Sequence, residues 1–289
     1  MKASHARREP RFALTTVARA AFGAPMADLL AAESHFAFGK NWRSFASLIN
    51  DERVTGSDAG IDRLFHGDEL RGKTVLDIGC GSGLPALSLL RRGAEHVTCI
   101  DIDADSVAAA TQTLTTHAPP ENWRTEVRSV FEMTGQFDVV YSWGVLHHTG
   151  DMVRAVQKAG ELVKPRGLLA IALYAKTPLC GFWRVEKRAY RRMPRAIQKA
   201  AQYVFAATEA VLRVVTGRRT TKVKARGMDG MHDIHDWLGG YPYESASLAD
   251  ALAMLPGFEL VRTNALYDPK TMGVLGSGCD EYVLRRRPD

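Results

Sequence analysis

The sequence predicts an α/β protein with a doubly wound, seven-stranded, mostly parallel sheet, and three observations support this. Short apolar runs alternate with amphipathic stretches between residues 73 and 175. The apolar runs are continuous, which is typical of strands that helices cover on both faces. Turn residues separate the runs, as in the glycine-rich segment 79–83 and in Pro165-Arg166-Gly167.

Residues 1–62 are expected to form an N-terminal helical cap, and residues 63–289 the core. The first part contains an amphipathic run at 26–38 and no strand pattern. An aromatic cluster that ends in turn residues follows at 36–42 and includes Lys40 and Trp42.

Strands and helices alternate through the next hundred residues. Strands are predicted at 75–78, 97–100, 125–130, 137–141 and 168–174. Helices are predicted at 85–92, 105–115 and 152–163, the second with Asp105 or Ser106 near its N-cap.

A helical insertion, or lid, is then expected to interrupt the core at 175–246. Within it, residues 175–228 look helical, whereas 229–246 look irregular because Gly239-Gly240 favours a loop. A short helix at 247–255 and strands at 258–263 and 281–285 complete the sheet. An apolar stripe at spacings of three and four marks the insertion, and it comprises Ile197, Ala201, Val204, Phe205, Thr208, Val211, Leu212 and Val215.

Composition favours an ordinary globular protein of a reducing compartment. The chain has 289 residues, of which 46% are hydrophobic and 24% charged. Its four cysteines form no C-x-x-C pair, so reduced thiols and a cytoplasmic location are expected. No apolar run reaches the roughly 18 residues that span a bilayer. Arg19 interrupts the run after the basic N-terminus, which argues against a signal peptide.

Positive charge is concentrated in one segment. Residues 184–226 hold thirteen Lys or Arg and two Glu, a net charge of +11, so the rest carries −5 of the total +6. Four interpretations remain open: the solvated face of a packed helix, a lid over an acidic or lipidic acceptor, peripheral membrane contact, and RNA binding. RNA is the least favoured partner, because only Tyr190 interleaves the basic run 184–199.

The strongest motif is Asp77-Ile78-Gly79-Cys80-Gly81-Ser82-Gly83, between a predicted strand and a predicted helix. Glycines allow a sharp turn and a close approach of ligand to backbone. The following helix start offers N–H groups to an anionic group. Asp101, 22 residues after Gly79, could accept two hydrogen bonds from a ribose diol.

The motif favours S-adenosylmethionine over a nicotinamide cofactor. The nicotinamide pattern G-x-G-x-x-G is broken here by Leu84. Asp77 would repel a pyrophosphate but attract the ammonium of an amino-acid cofactor. A glycine turn without a ligand is disfavoured, because strand, turn, helix and distal acid coincide.

These residues resemble the class I S-adenosylmethionine-dependent methyltransferases, especially the quinone-biosynthesis and small-molecule methylase branch. The segment 77–83 is similar to the D-x-G-x-G-x-G motif of that family, and 137–148 and 162–169 to its fourth-strand segment and the turn before its fifth strand. The resemblance covers residues 73–175 well and the last two strands weakly. It implies a Rossmann-like core and release of S-adenosylhomocysteine.

The resemblance also implies a set of cofactor contacts. Gly79 and Gly81 would lie under the cofactor, Asp101 would bind the ribose, and Ile102 would lie against the adenine. Many members carry an acid after the third strand; here the stretch is 129–131, so backbone groups of Val130 and Phe131 are expected instead. Lys40 is expected near the methionine carboxylate, with ordinary packing as the alternative. The full set is Asp77, Gly79, Cys80, Gly81, Gly83, Asp101, Ile102, Val130, Phe131, Trp143, Lys40 and Trp42.

Two histidines are the candidate catalytic residues. His147 and His148 follow the fourth strand, at the carboxyl edge where ligands bind in this architecture. His148 is the expected general base and His147 the second candidate. The alternative is that they only cap the loop before Asp151.

A second cluster supplies the expected substrate contacts, namely His232, His235, Trp237, Tyr241 and Tyr243. A structural loop is the alternative. The H-x-x-H spacing lacks an obvious third ligand, so no metal site is predicted.

The sequence therefore predicts a methyltransferase that acts on a small-molecule acceptor, with a hydroxyl as the expected atom. An RNA-modifying enzyme that uses the basic segment and a non-catalytic cofactor-binding partner protein are the alternatives. The oligomeric state is not encoded in any pattern that we identify.

Overall fold

The computed structural model describes residues 38–215, 230–264 and 278–288. Nearly all of the amphipathic run expected at 26–38 lies outside these ranges, as do residues 216–229 of the basic segment. Seven strands form one sheet in the order β3-β2-β1-β4-β5-β7-β6. They are β1 (Thr74–Ile78), β2 (His96–Asp101), β3 (Trp123–Val127), β4 (Phe137–Trp143), β5 (Val163–Tyr174), β6 (Phe258–Asn264) and β7 (Cys279–Arg286).

The strand pairing confirms the predicted doubly wound sheet. Strands β1 to β5 pair in parallel, and β7 is antiparallel to both β5 and β6. The chain proceeds from β1 towards β3 on one side and returns to β4 on the other. This reversal opens a crevice at the carboxyl ends of β1 and β4, where open α/β sheets bind ligands.

The described residues form nine α-helices. They are α1 (Phe38–Ala46), α2 (Asp51–Leu64), α3 (Leu84–Arg91), α4 (Ala104–His117), α5 (Met152–Glu161), α6 (Cys180–Arg192), α7 (Arg195–Val215), α8 (Gly230–Gly239) and α9 (Leu248–Met254). Two apolar clusters cover the opposite faces of the sheet, one including Leu76 and Val156, the other Val75 and Leu87. Because the central strands contribute to both clusters, their sequences read as continuous apolar runs.

Several predicted boundaries were wrong. The fifth strand begins at Val163 rather than at residue 168, so the turn expected at 165–167 lies within β5, as an irregularity in its pairing with β4. Side-chain hydrogen bonds explain two other boundaries. Helix α4 begins at Ala104, and its N-cap is Asp103 rather than Asp105 or Ser106. The Asp103 carboxylate accepts the backbone N–H of Asp105 at 2.9 Å. The third strand ends at Val127 rather than at residue 130. A 3₁₀ turn follows, and the backbone N–H of Phe131 donates to the Ser129 hydroxyl at 3.3 Å.

The insertion differs from prediction in two respects. Residues 230–239 form α8 instead of an irregular segment, because Ile234, Trp237 and Leu238 pack on one helical face. The apolar stripe of α7 is not buried along its length. Ala201 and Phe205 pack inward. The exposed members of the stripe are Ile197, Val204, Thr208 and Val211. The side chains of Leu212 and Val215 are not among the described parts of the structure.

Both ends of the insertion meet at the sheet. Ala175 and Ala246 form a parallel bridge, and the N–H of Ala246 donates to the Tyr174 carbonyl at 2.9 Å. The chain therefore leaves and rejoins the core at one point, although the domain boundaries at 62, 175 and 246 remain predictions. Of the helices in the described ranges, none has the length and apolarity needed to cross a membrane.

Candidate active site

The glycine turn between β1 and α3 is shaped by backbone that only glycine adopts easily. Gly79 and Gly81 have φ of +74° and +50°. The N–H groups of Gly79 and Cys80 donate to the Ile100 carbonyl at 2.8 and 3.1 Å, which ties the turn to β2. A Cβ at Gly79 would lie 2.3 Å from a Val145 methyl carbon. The turn therefore depends on the absence of a side chain.

Gly83 and Cys80, the next two residues of interest in the motif, are both packed against neighbouring elements. A Cβ at Gly83 would lie 2.7 Å from Ala110 Cα, so the glycine allows α3 and α4 to approach closely. Cys80 is buried, and its hydrogen bond with Cys99 together with burial raises the pKa of the thiol well above its usual value. The Cys80 thiol therefore stays protonated near neutral pH and is a poor nucleophile.

Two carboxylates lie at the carboxyl ends of neighbouring strands. Asp77 is buried at the end of β1, next to Ile78, and Asp101 ends β2. The Asp101 carboxylate accepts the N–H groups of Gly81 at 3.3 Å and Asp103 at 3.0 Å. Burial nevertheless raises the pKa of Asp101 to about 6. A buried acid of this kind is stabilised by further hydrogen-bond donors, such as those of a diol.

The segment after β3 lies beside the end of β2. The N–H of Arg128 donates to the Asp101 carbonyl at 2.8 Å. Val130 is buried in the core, while the Phe131 ring lies 4.6 Å from the Arg154 guanidinium carbon. Ile102 is partly buried. The structure therefore brings the residues predicted to surround the adenine to one edge of the sheet.

Helix α1 crosses this edge. The N–H of Gly39 donates to the Asp103 carboxylate at 3.0 Å, and Arg43 forms an ion pair with Asp105 at 2.8 Å. The Trp42 indole would lie 3.0 Å from a Cβ at Gly81, so it lies against the glycine turn. Lys40 belongs to the same helix, but its side chain is not among the described parts of the structure, so its predicted contact stays a prediction. Asp103 was missed as a site residue, although an Asp directly before a helix was the available signal.

Trp143, at the end of β4, is held by a carboxylate on β7, two strands away in the sheet. Its indole N–H donates to the fully buried Glu281 on β7 at 2.8 Å. Arg63 of α2 forms an ion pair with the same carboxylate at 2.9 Å. Trp143 is thus fixed in orientation between β4 and β7.

His148 lies in the 3₁₀ turn that follows β4, and one hydrogen bond determines its tautomer. Its Nδ1 lies 2.7 Å from the Pro242 carbonyl oxygen. A carbonyl can only accept, so Nδ1 carries the proton and Nε2 of the neutral ring has the lone pair. This is the tautomer that a general base acting through Nε2 requires.

His147 has a different environment from its neighbour. Its ring is fully buried and lies 3.9 Å from the Tyr174 ring, centroid to centroid. Burial lowers the pKa of His147 well below its usual value. Neither ring nitrogen has a hydrogen-bond partner among the described residues. Because the charged form is disfavoured, His147 is the weaker candidate for a base.

An aromatic cluster lies next to the two histidines and surrounds a lysine. Tyr174 contacts Trp237 and Tyr243 at centroid distances of 5.0 and 5.3 Å. The Lys187 ammonium lies 3.6 Å from the Trp237 ring centroid and donates to the Trp237 carbonyl. Burial lowers the pKa of Lys187 to about 7. Lys187 was missed because its position in a basic run indicated a solvated side chain.

The remaining predicted substrate residues have contacts away from His148, either within the lid or with α1. The His235 Nδ1 lies 2.9 Å from both the Tyr190 hydroxyl and the Gln202 amide nitrogen, which places it between α6 and α7. The His232 ring lies 6.0 Å from that of Phe45. Tyr241 packs under Arg191. Trp237 and Tyr243 therefore lie near His148, through their shared contacts with Tyr174. The other three residues, His232, His235 and Tyr241, join different elements of the fold instead.

Asn41 joins α1 to the lid. Its amide donates to the Asp236 carboxylate at 2.8 Å and to the His232 carbonyl at 3.3 Å. Burial raises the pKa of Asp236 well above its usual value. Within the described ranges, no group of three His, Cys, Asp or Glu residues could hold a metal ion.

Comparison with known proteins identifies the central part of the chain. Residues 76–169 match the model of the methyltransferase domain family. An uncharacterised methyltransferase of Mycobacterium tuberculosis is 38% identical over 110 residues, 38% of this chain and 55% of that protein. A ubiquinone biosynthesis O-methyltransferase of Pseudomonas paraeruginosa is 35% identical over 111 residues, 38% of this chain and 47% of that protein. The match spans about half the length of these relatives.

A solved structure shares the fold over most of the chain. Magnesium protoporphyrin IX methyltransferase from Synechocystis PCC 6803, crystallised with bound SAH, superposes with a TM-score of 0.55 at 16% identity. The alignment covers 91% of this chain and all of the other. At this identity the likeness establishes the fold alone.

Proposed function

Because the chain carries a methyltransferase domain at residues 76–169 on a class I methyltransferase fold, we propose that it is an S-adenosylmethionine-dependent methyltransferase. We further propose that its acceptor is a small molecule with a hydroxyl group. The similarity to a ubiquinone biosynthesis O-methyltransferase supports this acceptor class. The main support for a hydroxyl acceptor is the tautomer of His148, which lies beyond the carboxyl end of β4.

The residues at the β1 and β2 carboxyl ends fit the chemistry of the proposed cofactor. Asp101 is a partly buried acid beside the glycine turn, and its raised pKa suits the hydrogen-bond donors of a ribose diol. Asp77 supplies negative charge near the end of β1, which suits an ammonium. Trp42 of α1 covers the turn from the other side. When bound, S-adenosylmethionine supplies an electrophilic methyl group on a sulfonium, and its loss leaves S-adenosylhomocysteine.

In the proposed reaction His148 Nε2 would take the proton of the acceptor hydroxyl, which makes its oxygen a better nucleophile for the methyl group that the cofactor would supply. The Pro242 carbonyl keeps Nδ1 protonated and stabilises the imidazolium that forms. The Tyr174 ring lies 5.1 Å from the His148 ring and packs with Trp237 and Tyr243 around the Lys187 ammonium, which suits an acceptor with a flat ring. Alignment of the reacting atoms supplies most of the rate, and the base adds to it.

We expect His148→Ala to lower kcat by roughly 10²–10⁴-fold, because general-base assistance is lost. Cofactor affinity should stay within about twofold, since the substitution leaves the β1 and β2 ends unchanged. The assay follows transfer of label from methyl-labelled S-adenosylmethionine into a fractionated bacterial extract, and calorimetry measures cofactor affinity.

His117→Ala is the matched control, because His117 is an exposed histidine at the far end of α4. It should keep full activity. Unchanged turnover in the His148 variant would remove it as the base. Label in RNA instead of the small-molecule fraction would contradict the proposed acceptor class.

A further inference from the structure

Helix α7 exposes most of its apolar side chains and turns two glutamines inward, together with Ala201 and Phe205. Gln198 donates to the Tyr190 carbonyl at 3.0 Å, and Gln202 to the Tyr190 hydroxyl at 2.8 Å. On the other side, Val204 is 66% and Val214 is 81% exposed. A surface helix of a soluble protein normally has the reverse arrangement. The outer face of α7 is therefore not accounted for by packing within the described chain.

The exposed apolar residues form one continuous stripe. Two series of exposed residues repeat at intervals of seven along α7. The first series is Ile197, Val204 and Val211, and the second is Ala200, Ala207 and Val214. Seven residues are about two helical turns, so each series lies on one line of the helix. Helix α6 carries further exposed apolar side chains at Phe182 and Val185, and Met193 directly after it is also exposed. Contiguous apolar surface of this kind marks an interaction site.

Exposed positive charge lies on the same two helices as the stripe, and on α6 it is next to the exposed apolar side chains. Five exposed basic residues lie on the same two helices, namely Arg184, Arg188, Arg192, Arg195 and Lys199. Only Glu186 and Glu209 are acidic among residues 184–226. Glu186 is partly buried, and burial raises its pKa to about 7, which weakens its negative charge.

A second copy of the chain complements this surface poorly. The two apolar series follow the spacing of a coiled-coil seam, but they extend over fewer than three heptads. The flanking positions hold Ala201, Tyr203, Thr208 and Ala210, so the ion pairs that specify coiled-coil partners are missing there. Two copies would also bring like charges together. An anionic bilayer provides both an apolar interior and negative charge.

We propose that the outer face of α6 and α7 docks on an anionic lipid bilayer. The apolar stripe enters the boundary between headgroups and acyl chains, and the basic residues contact the headgroups. The inner face of α6 carries Trp183, Lys187 and Tyr190, which pack towards Trp237 and His235 of α8. Docking thus places the lid between the bilayer and the candidate active site. The proposal does not depend on methyl transfer.

Flotation of the full chain with vesicles tests the proposal directly. Binding is expected with phosphatidylcholine containing phosphatidylglycerol, not with phosphatidylcholine alone, and it should weaken as salt is raised. The combined substitution Ile197→Ser, Val204→Ser and Val211→Ser should lower the partition coefficient by about tenfold or more. Arg188→Gln with Arg192→Gln should lower it by about fivefold per charge at low salt.

Matched controls separate the stripe from general surface effects. Val153→Ser removes an exposed apolar side chain on α5, and Lys73→Gln removes an exposed charge before β1. Both should bind like the unaltered chain, and circular dichroism checks that every variant is folded. Equal binding by the triple-serine variant would overturn the proposal. A dimer in sedimentation that the triple-serine variant abolishes, with no binding to vesicles, would also overturn it. So would salt-sensitive binding to RNA without any binding to vesicles.

Discussion

Asp101 combines a role in the fold with a candidate role in binding. Its carboxylate accepts backbone N–H groups on either side, yet burial keeps its pKa at about 6. A raised pKa means that the folded protein binds a proton more tightly than the unfolded chain does. The unfolding free energy therefore falls as the pH rises from about 4 to about 6, and the cost persists above that range.

Cofactor affinity should fall as the pH drops below about 6, because protonation turns one Asp101 oxygen into a donor and leaves a weaker, uncharged acceptor for the diol. The limiting slope is about tenfold per pH unit. Asp101→Asn should abolish this dependence and weaken binding by about tenfold or more, and it should remove the fall in unfolding free energy between about pH 4 and 6. Calorimetry over a pH series and chemical denaturation measure the two effects.

Asp105→Asn is the control for this prediction, since Asp105 lies in the same region and pairs with Arg43 on the surface. That variant should retain the pH dependence. Near-unaltered affinity in Asp101→Asn would show that Asp101 does not bind the ribose.

His147 and His148 are adjacent in the sequence, but their rings have different environments and different protonation properties. His148 has its tautomer set by the Pro242 carbonyl, 94 residues away in the chain. His147 is fully buried against Tyr174, and burial lowers its pKa. Only the long-range contacts distinguish them.

At the scale of elements, the turn between β1 and α3 is held from two directions. Backbone N–H groups bind the Ile100 carbonyl of β2, and Val145, after β4, packs over Gly79. The turn thus links three neighbouring strands at the crevice. Its geometry depends on a glycine both for the positive φ and for the space.

Gly79→Ala should lower the unfolding free energy by more than Gly67→Ala does. Both glycines have positive φ, +74° and +57°, so an alanine costs roughly 1–3 kcal/mol of backbone strain at each. At Gly67 nothing lies within 4 Å of the added Cβ, whereas at Gly79 it meets Val145 at 2.3 Å. The overlap should add about 1–3 kcal/mol, because a β-branched side chain has few ways to move.

Chemical denaturation of the two single variants measures this difference. Adding Val145→Ala to Gly79→Ala should recover part of the loss, because the overlapping methyl groups are removed. Equal destabilisation of the two glycine variants would contradict the assigned contact.

At the scale of the whole molecule, two segments far apart in sequence meet over the carboxyl edge of the sheet. Helix α1 precedes the core, and α8 lies late in the insertion. Asn41 and Asp236 join them, with Phe45 against His232 nearby. The candidate site is therefore covered jointly by the N-terminal helix and the lid.

Asn41→Ala should loosen this cover without unfolding the sheet. The Asp236 carboxylate loses a donor in a buried position, which costs about 1–3 kcal/mol locally. Hydrogen exchange should accelerate in α1 and α8 and remain unchanged in β1 and β4. Ser44→Ala, an exposed change on the same helix, serves as the control. Unchanged exchange in α8 would contradict a cover held by Asn41.

Much of the fold could be predicted from local pattern, and the errors have local causes. The strands of the central sheet were found because burial on both faces requires uninterrupted apolar runs. The limits of the third strand and of α4 were wrong because Ser129 and Asp103 cap the chain through their side chains. Helix α8 was missed because its terminal glycines outweighed the apolar spacing.

The sequence alone determined the class of the fold and the place of the glycine turn, since both follow from patterns that neighbouring residues set. The turn needs glycines and a distal acid at fixed spacing, and these are visible in the chain. Tertiary structure alone decided the tautomer of His148, the burial of Lys187 and the outward orientation of the α7 stripe. Each depends on contacts between residues distant in sequence, and periodicity cannot tell which face of an amphipathic helix the rest of the molecule covers.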